Sequence, residues 1–312
     1  MMENESKHIE RGRFAPSPTG RMHLGNVFAA LMSWLSVRSK GGEWLLRIED
    51  IDPDRSRRSY ADQLMSDLEW LGLGWDGQVV WQSQRSDIYE QYCQQLRNQG
   101  LTYPCVCTRA DILATQAPHE SDGRVVYKGT CRNRSWDESP AATRLRVDNS
   151  DIVFTDGHYG EQRVNIERQV GDFIIRRKDG AWAYQLAVVV DDALMGITEV
   201  VRGRDLLLSS PQQMYLARLL GFAPPCFTHF PLLVNEAGQR LSKRDHAMNL
   251  GLLRERYTAK EIIGRLAWLA GQQDSPDPVS AESLINRFRW EKVPLDDIRM
   301  EEDVDECDND KN

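Results

Sequence analysis

The sequence predicts an α/β fold with a parallel sheet, a cysteine-bearing insert and a short helical region at its end. Two observations support this fold class. Strand-like and helix-like segments alternate before residue 72 and again after residue 186. Between these halves lies a polar stretch of little periodicity that carries three cysteines. Strands that alternate with helices favour right-handed crossovers, and therefore parallel strands.

The first half begins with a predicted strand–helix–strand unit. Arg11–Ala15 forms the first strand, and two prolines after it impose an extended turn. From Leu24 to Val37 the apolar residues recur at spacings of one, three and four, which indicates a helix that two glycines end. The apolar centre of Glu43–Glu49 predicts the second strand. The leucines of Leu64–Leu71 then mark another amphipathic helix.

The second half repeats this alternation. The apolar run Ala187–Val190 is predicted as a buried strand and Ile197–Val201 as another. Gln212–Leu220 has helical periodicity. Phe230–Val234 leads into Asn235–Gly238, whose composition is that of a turn.

These elements suggest a division of the chain into four parts. We expect residues 1–104 and 141–248 to form two halves of one α/β domain, and residues 105–140 to form a cysteine-bearing insert. Residues 249–299, which include the helix-rich Leu252–Leu269, form a helical region. Residues 300–312 form an acidic tail that we expect to be disordered.

Composition and charge exclude some classes of protein. The 312 residues are 41% apolar and 28% charged, and they contain no apolar run of about 18 residues, so no membrane span is expected. The first ten residues lack the apolar core of a signal peptide, which predicts a cytoplasmic protein. The net charge is −8, of which the last twelve residues hold −6. The other 300 residues are therefore close to neutral at −2, and they can still present a local basic face to a nucleic acid.

A first motif places a histidine and a glycine where the first helix begins. His23, Gly25 and Asn26 follow the segment Arg13–Gly20 (RFAPSPTG). Helix N-termini bind anions because free backbone N–H groups and the helix dipole point outward there. Glycine lets a nucleotide approach the backbone, and the imidazole can donate to a phosphate. A lone His-x-Gly is more often an ordinary helix start. The evidence for a nucleotide site therefore comes from the segment that precedes it.

A second motif places a lysine in a polar loop more than two hundred residues later. Ser242 and Lys243 lie in the segment RLSKR, after the predicted turn at Gly238. A mobile cation can neutralise the charge that builds up when pyrophosphate leaves ATP, which raises the rate rather than the affinity. Taken alone, the segment also fits a solvated basic turn.

The insert carries three cysteines with the spacing of a metal site. Cys105, Cys107 and Cys131 can supply thiolates to a tetrahedral zinc ion, which suits a polar segment too small to form its own core. His119 and Tyr127 are the two candidates for the fourth ligand. Three free thiols in a reducing compartment are the alternative.

The two motifs together resemble the ATP-handling signatures of class I aminoacyl-tRNA synthetases. The segment GRFAPSPTG, which begins at Gly12, narrows the resemblance to the glutamyl/glutaminyl branch. It implies a Rossmann-like catalytic domain, ATP with Mg²⁺ as substrate, catalytic roles for His23, Gly25 and Lys243, and ATP contacts that also include Asn26 and Ser242. The resemblance covers Arg11 to about Leu250.

The same resemblance implies a glutamate pocket. In the family, the pocket uses an Arg and a Ser of the first motif, the Glu of Arg-Ile-Glu-Asp, a Tyr, and the Arg of Val-Arg-Gly-x-Asp. The corresponding residues are Arg13, Ser17, Glu49, Tyr184 and Arg202. Guanidinium groups can bind carboxylates bidentately. Glu49 ends a predicted strand, where open α/β sheets bind their ligands.

Within this branch the sequence is similar to the glutamyl-queuosine tRNA(Asp) synthetases. Only about 70 residues follow Lys243, which leaves little room for an anticodon-reading domain, and the pattern Cys-x-Cys…Tyr-x3-Cys occurs in this group, with Tyr127 as the fourth zinc ligand. The resemblance implies activation of L-glutamate without tRNA and its transfer to queuosine in the anticodon loop of tRNA(Asp). A monomer is expected.

Three alternatives remain at this point. One is a shortened glutamyl-tRNA synthetase that charges a tRNA 3′ end. Another is an enzyme that forms glutamyl-adenylate but loads a protein or a small amine. The third is a non-catalytic paralogue that binds RNA or zinc, although the intact His23, Gly25 and Lys243 disfavour it.

Overall fold

The computed structural model describes residues 9–114, 126–137, 140–239 and 249–300. Its strands, numbered in chain order, are β1 (Arg11–Phe14), β2 (Glu43–Ile48), β3 (Val80–Trp81), β4 (Thr102–Cys105), β5 (Ala142–Leu145), β6 (Asp151–Asp156), β7 (Gly160–Asn165), β8 (Phe173–Arg176), β9 (Glu199–Gly203), β10 (Cys226–Phe230), β11 (Leu233–Val234) and β12 (Ile298–Arg299). Its α-helices are α1 (Leu24–Arg38), α2 (Arg58–Trp70), α3 (Ser86–Asn98), α4 (Arg109–Ala114), α5 (Ile166–Gln169), α6 (Tyr184–Leu194), α7 (Ser210–Leu220), α8 (Leu250–Arg256), α9 (Ala259–Leu269) and α10 (Ala281–Leu284).

Parallel strands from both halves of the chain meet at the centre. β2 pairs in parallel with β1 and with β3, and β10 pairs in parallel with β9. The two groups adjoin where the N–H of Thr198, just before β9, donates to the carbonyl oxygen of Arg11 in β1 (2.8 Å). The predicted strand–helix–strand unit is confirmed, with each boundary within one residue of the prediction. Its helix α1 packs between β1, β2 and β9 and buries Val27, Phe28 and Leu31.

The prediction of a strand at Ala187–Val190 is wrong, because these residues lie inside α6. The run Leu186–Asp192 is buried throughout, since α6 packs against α3, α7 and β8. A short, fully apolar run has no periodicity that distinguishes a buried strand from a buried helix, and its three valines favour a strand by intrinsic propensity. Tertiary burial overrides that propensity here.

Antiparallel strands lie between the two parallel groups in chain order. β5 pairs with β4 on one side and β8 on the other, and β6 forms a hairpin with β7. The metal-site cysteines lie beside this sheet, because Cys105 is the last residue of β4. A small apolar cluster forms around Tyr103, Cys105, Tyr127 and Cys131, apart from the two main cores.

The C-terminal helices pack against the first half of the chain. Ile263, Leu266 and Leu284 share one core with α1 and β2, and β12 pairs in parallel with β11. The predicted helical content of Leu252–Leu269 is confirmed by α8 and α9. No helix among the described residues is long and apolar enough to cross a membrane.

Candidate active site

An open cavity of about 530 Å³ lies beyond the carboxyl ends of β1, β2 and β9. Ligands of open α/β sheets bind at this edge. Its lining includes every described residue that the sequence assigns to glutamate or ATP: Arg13, Ser17, His23, Gly25, Asn26, Glu49, Tyr184 and Arg202. The structure thus brings these eight residues together around one cavity, and the role of each stays a prediction.

The N-terminus of α1 faces this cavity. His23 is the N-cap residue in an extended conformation, and its N–H donates to Oδ1 of Asn26 (3.1 Å). A Cβ added to Gly25 would lie 3.0 Å from Cε1 of His23, so any larger residue would crowd the imidazole. The first turn of this 15-residue helix can therefore receive an anion close to its backbone.

A buried network of alternating charges lies behind the cavity residues Arg13 and Glu49. Asp192 of α6 accepts hydrogen bonds from Arg13 (3.1 and 3.4 Å) and from Arg47 (2.6 Å). Arg47 also donates to Oε1 of Glu49 (3.1 Å). Burial would raise the pKa of Asp192, but Arg13 and Arg47 outweigh burial and hold this pKa below its ordinary value. The charge of Arg13 is thus already balanced by a carboxylate.

Glu49 responds differently to the same surroundings. Burial raises the pKa of its carboxyl, and the nearby cations Arg47 and Arg13 only partly oppose that effect. A buried carboxylate of this kind gains from an added cation, and the ammonium group of an amino acid would be one.

Arg202 is the cavity's second buried guanidinium. Unlike Arg13, it has hydrogen-bond partners in the described chain that carry no formal charge. On the side away from the cavity it donates to Nε2 of His229 (3.1 Å), Oε1 of Gln213 (2.9 Å) and Oγ of Ser210 (2.8 Å). Burial lowers the pKa of Arg202. No hydrogen-bond partner that the described chain gives it carries a formal charge, so its positive charge is available to a ligand.

The outer edge of Arg202 makes only long hydrogen bonds. Nη1 lies 3.4 Å from the Tyr184 hydroxyl, and Nη2 lies 3.4 Å from the carbonyl oxygen of Leu206. Both of these partners line the cavity. A carboxylate can replace the two weak contacts with two charge-assisted ones from Nη1 and Nη2.

Several residues that hold this site together have little local signal in the sequence. Asp192 and Arg47 are buried and 145 residues apart, and His229 lies in a buried strand. The acid pair Asp191–Asp192 after an apolar run was the one available signal, since two adjacent acids within a buried segment need cationic partners.

The cysteine cluster has the dimensions of a tetrahedral metal site. The sulfurs of Cys105, Cys107 and Cys131 lie within 4.8 Å of one another, and those of Cys107 and Cys131 are 3.5 Å apart. The Tyr127 hydroxyl lies 3.5 Å from Cys105 Sγ and 3.6 Å from Cys107 Sγ. Metal–sulfur bonds of about 2.3 Å give tetrahedral sulfur–sulfur edges of about 3.8 Å. The cluster could therefore hold one metal ion.

Local contacts hold Tyr127 and Cys131 in this cluster. The N–H of Cys131 donates to the Tyr127 hydroxyl (2.8 Å), and the guanidinium of Arg144 stacks 3.8 Å from the centre of the Tyr127 ring. Burial raises the pKa of Cys131, but hydrogen bonds from Val106, Tyr127 and Cys107 outweigh burial and lower this pKa to about 7. A thiol that ionises near neutrality is a ready metal ligand.

Some predicted residues lie outside the described ranges. Ser242 and Lys243 of the second motif belong to this group, and so does His119, the alternative zinc ligand. The described range that precedes the second motif ends at Gln239, one residue after the predicted turn. That turn is present, because the N–H of Gly238 donates to the carbonyl oxygen of Asn235 (2.9 Å) and Gly238 has a φ of 72°.

Comparison with known proteins shows the family of the chain. The family model of the class I tRNA synthetases (E and Q), catalytic domain, matches residues 11–294. A glutamyl-Q tRNA(Asp) synthetase of Symbiobacterium thermophilum is 44% identical, with 93% of this chain and 95% of the relative covered. The protein of the same name from Chromobacterium violaceum is 47% identical, with 91% and 93% covered.

Solved structures show the same fold. The glutamate tRNA ligase from Elizabethkingia meningosepticum, in complex with its amino acid, superimposes with a TM-score of 0.78 at 30% identity and covers 93% of this chain. The glutamate-tRNA synthetase from Elizabethkingia anophelis gives a TM-score of 0.80 at 29% identity and covers 94%. The chain spans 66% and 68% of the length of these two proteins.

Proposed function

Because the chain belongs to the class I tRNA synthetase family for glutamate and glutamine and is therefore a ligase-type enzyme, we propose that it activates L-glutamate with ATP in the absence of tRNA. We further propose that it transfers the glutamate to the queuosine base at the wobble position of tRNA(Asp). The observation that carries the first step is Arg202, a buried guanidinium whose hydrogen-bond partners in the described chain are uncharged, placed beside a helix N-terminus in one cavity.

The amino acid occupies the side of the cavity lined by Arg202 and Glu49. Arg202 offers two N–H groups to the side-chain carboxylate of glutamate, with Tyr184 beside it. Glu49 offers a negative charge to the ammonium group, and Arg13 and Ser17 line the same cavity. The pocket matches both charge types of glutamate.

ATP occupies the other side of the cavity, at the start of α1. The free N–H groups of the first turn and the imidazole of His23 receive phosphate oxygens, and Gly25 and Asn26 line the approach. ATP is bound with Mg²⁺, which supplies further positive charge to the phosphates. The resemblance of the second motif assigns Ser242 and Lys243 to the same ATP phosphates.

The reaction has two steps. The α-carboxylate of glutamate attacks the α-phosphorus of ATP, so that a carboxyl–phosphate bond forms and pyrophosphate leaves. A hydroxyl group of queuosine then attacks the activated carbonyl carbon, loses its proton, and expels AMP. Cations around the phosphates act mainly where charge accumulates in the first transition state.

A basic groove of about 230 Å³ supports an RNA partner. Its described lining includes the cations Arg97, Arg176, Arg177 and Lys178, and Trp136 stacks on Arg97 at 4.0 Å. Cationic grooves with an aromatic platform are typical of surfaces that bind single-stranded nucleic acid. Arg177 also lies within 3.6 Å of Asp52, so the groove adjoins the loop that follows the cavity residue Glu49.

Activation without tRNA is tested by pyrophosphate exchange. With glutamate, ATP and no tRNA, we expect labelled pyrophosphate to enter ATP. Lys243→Ala should lower kcat by roughly 10²–10³-fold with little change in KM for glutamate, as for other lost electrostatic stabilisers of a transition state. Exchange that requires tRNA would contradict the proposal. A large rise in the glutamate KM of Lys243→Ala with normal kcat would instead place Lys243 in the amino-acid pocket.

We also propose that Cys105, Cys107, Tyr127 and Cys131 hold one zinc ion. Loss of a residue that only hydrogen-bonds to a metal ligand typically weakens metal affinity roughly 10- to 100-fold. Cys105→Ser removes a metal ligand itself, so it should weaken zinc affinity by more than this. Cys226→Ser is the matched control, since Cys226 is an exposed free thiol outside the cluster. Elemental analysis after dialysis against a weak chelator measures both. Full zinc content in Cys105→Ser would refute the assignment.

A further inference from the structure

A buried chain of three side chains runs behind the cavity. Oδ2 of Asp156, at the end of β6, lies 2.6 Å from Nδ1 of His229 in β10. Nε2 of the same imidazole lies 3.1 Å from Nε of Arg202 in β9. Asp156 and His229 have no exposed side-chain surface, and neither lines the cavity. Asp156 and His229 can therefore affect a ligand in the cavity only through their contact with Arg202.

The geometry fixes the protonation of His229. Nε of an arginine can only donate a hydrogen bond, so Nε2 of His229 must carry a lone pair. The remaining proton is then on Nδ1, which donates it to Asp156, and the imidazole is neutral. Burial lowers the pKa of His229, and the charge of Arg202 adds to this, while Asp156 and Asp205 oppose it.

We propose that Asp156 and His229 are positioning residues for glutamate recognition, because they fix the plane and direction of the Arg202 guanidinium. The inference rests on the proposed function and adds two residues to it. Gln213 and Ser210 each hold one end of the guanidinium, but neither contacts Nε. The Asp156–His229 pair anchors that third nitrogen. With all three anchors in place, the free edge of Arg202 points towards Tyr184 and the cavity.

Protonation of His229 would break this arrangement. Nε2 would then carry a proton opposite the N–H of Arg202, and two buried cations would face each other at 3.1 Å. The charged groups that face His229 are Asp156 from β6, Arg202 from β9 and Asp205 from the turn after β9. Because the pKa of His229 is lowered, the neutral form persists at neutral pH. The hydrogen bond from Arg202 to neutral His229 is lost as the pH falls through the lowered pKa of His229.

Two substitutions of His229 separate these effects. His229→Leu removes the acceptor for Arg202, and we expect the KM for glutamate to rise about 10- to 100-fold, as for a lost hydrogen bond to a charged group, with the KM for ATP changed less than about twofold. His229→Gln can still present an oxygen to Arg202 but cannot titrate. It should keep a glutamate KM close to that of the wild type and lack the wild type's rise in KM at acid pH. His158→Gln, in a half-buried histidine that contacts Pro294, is the control.

Pyrophosphate exchange with varied glutamate, ATP and pH measures these parameters, and circular dichroism confirms folding. An unchanged glutamate KM in folded His229→Leu would overturn the positioning role, and so would a wild-type acid limb in His229→Gln. A wild type that does not exchange with glutamate at all would instead overturn the proposed function. If His229→Leu fails to fold, the pH profile of His229→Gln decides the question alone.

Discussion

Glutamine should support pyrophosphate exchange with a kcat/KM about 10⁴-fold below that of glutamate, because a site built to pair a buried charge rejects an analogue that cannot pair it. Arg202 is buried, and the uncharged groups around it do not balance its charge. A carboxylate would accept from both Nη1 and Nη2. An amide offers one oxygen, and its NH₂ group would face an N–H donor.

Arg202→Gln provides the matched variant for this prediction. Without the guanidinium, kcat/KM for glutamate should fall by roughly 10³-fold while that for glutamine changes far less, so that most of the preference disappears. Steady-state exchange with both amino acids, for wild type and variant, measures the four constants. Equal kcat/KM values for glutamate and glutamine in the wild-type protein would contradict the proposed pocket.

Local patterns in the sequence predicted the elements that carry the first motif. The strand at Arg11, the helix from Leu24 and the strand from Glu43 were predicted correctly, because each is amphipathic or bounded by glycine and proline. The spacing of Cys105, Cys107 and Cys131 likewise predicted side chains that the structure brings together. In these cases the residues that define the element or the cluster lie within a few dozen positions of one another in the sequence.

Information that depends on distant contacts could not be predicted in this way. The partners Arg13 and Asp192 are 179 residues apart, and Asp156 and His229 are 73 residues apart. A buried histidine in a strand of mixed composition has no local signature. The error at Ala187–Val190 has the same origin, because only the packing of α6 against α3 and α7 distinguishes it from a strand.

Transfer of glutamate should depend almost completely on the modified base of the acceptor tRNA. An anticodon base must leave its stack to reach a cavity beyond the sheet, and single-stranded loops permit this. The basic groove beside the site can hold the flanking backbone, so added salt should weaken the complex steeply. The similarity to glutamate tRNA ligases makes charging of a 3′ end the competing reaction.

The most direct measurement compares glutamate transfer to tRNA(Asp) with and without queuosine, using the same preparation of enzyme and labelled glutamate. We predict stable incorporation only with the queuosine-bearing tRNA, and nuclease mapping should place the label on the anticodon loop. Removal of the 3′-terminal adenosine from the queuosine-bearing tRNA should leave transfer unchanged. Equal incorporation into both tRNAs, or label on the terminal adenosine, would contradict the account and identify a synthetase that charges tRNA 3′ ends.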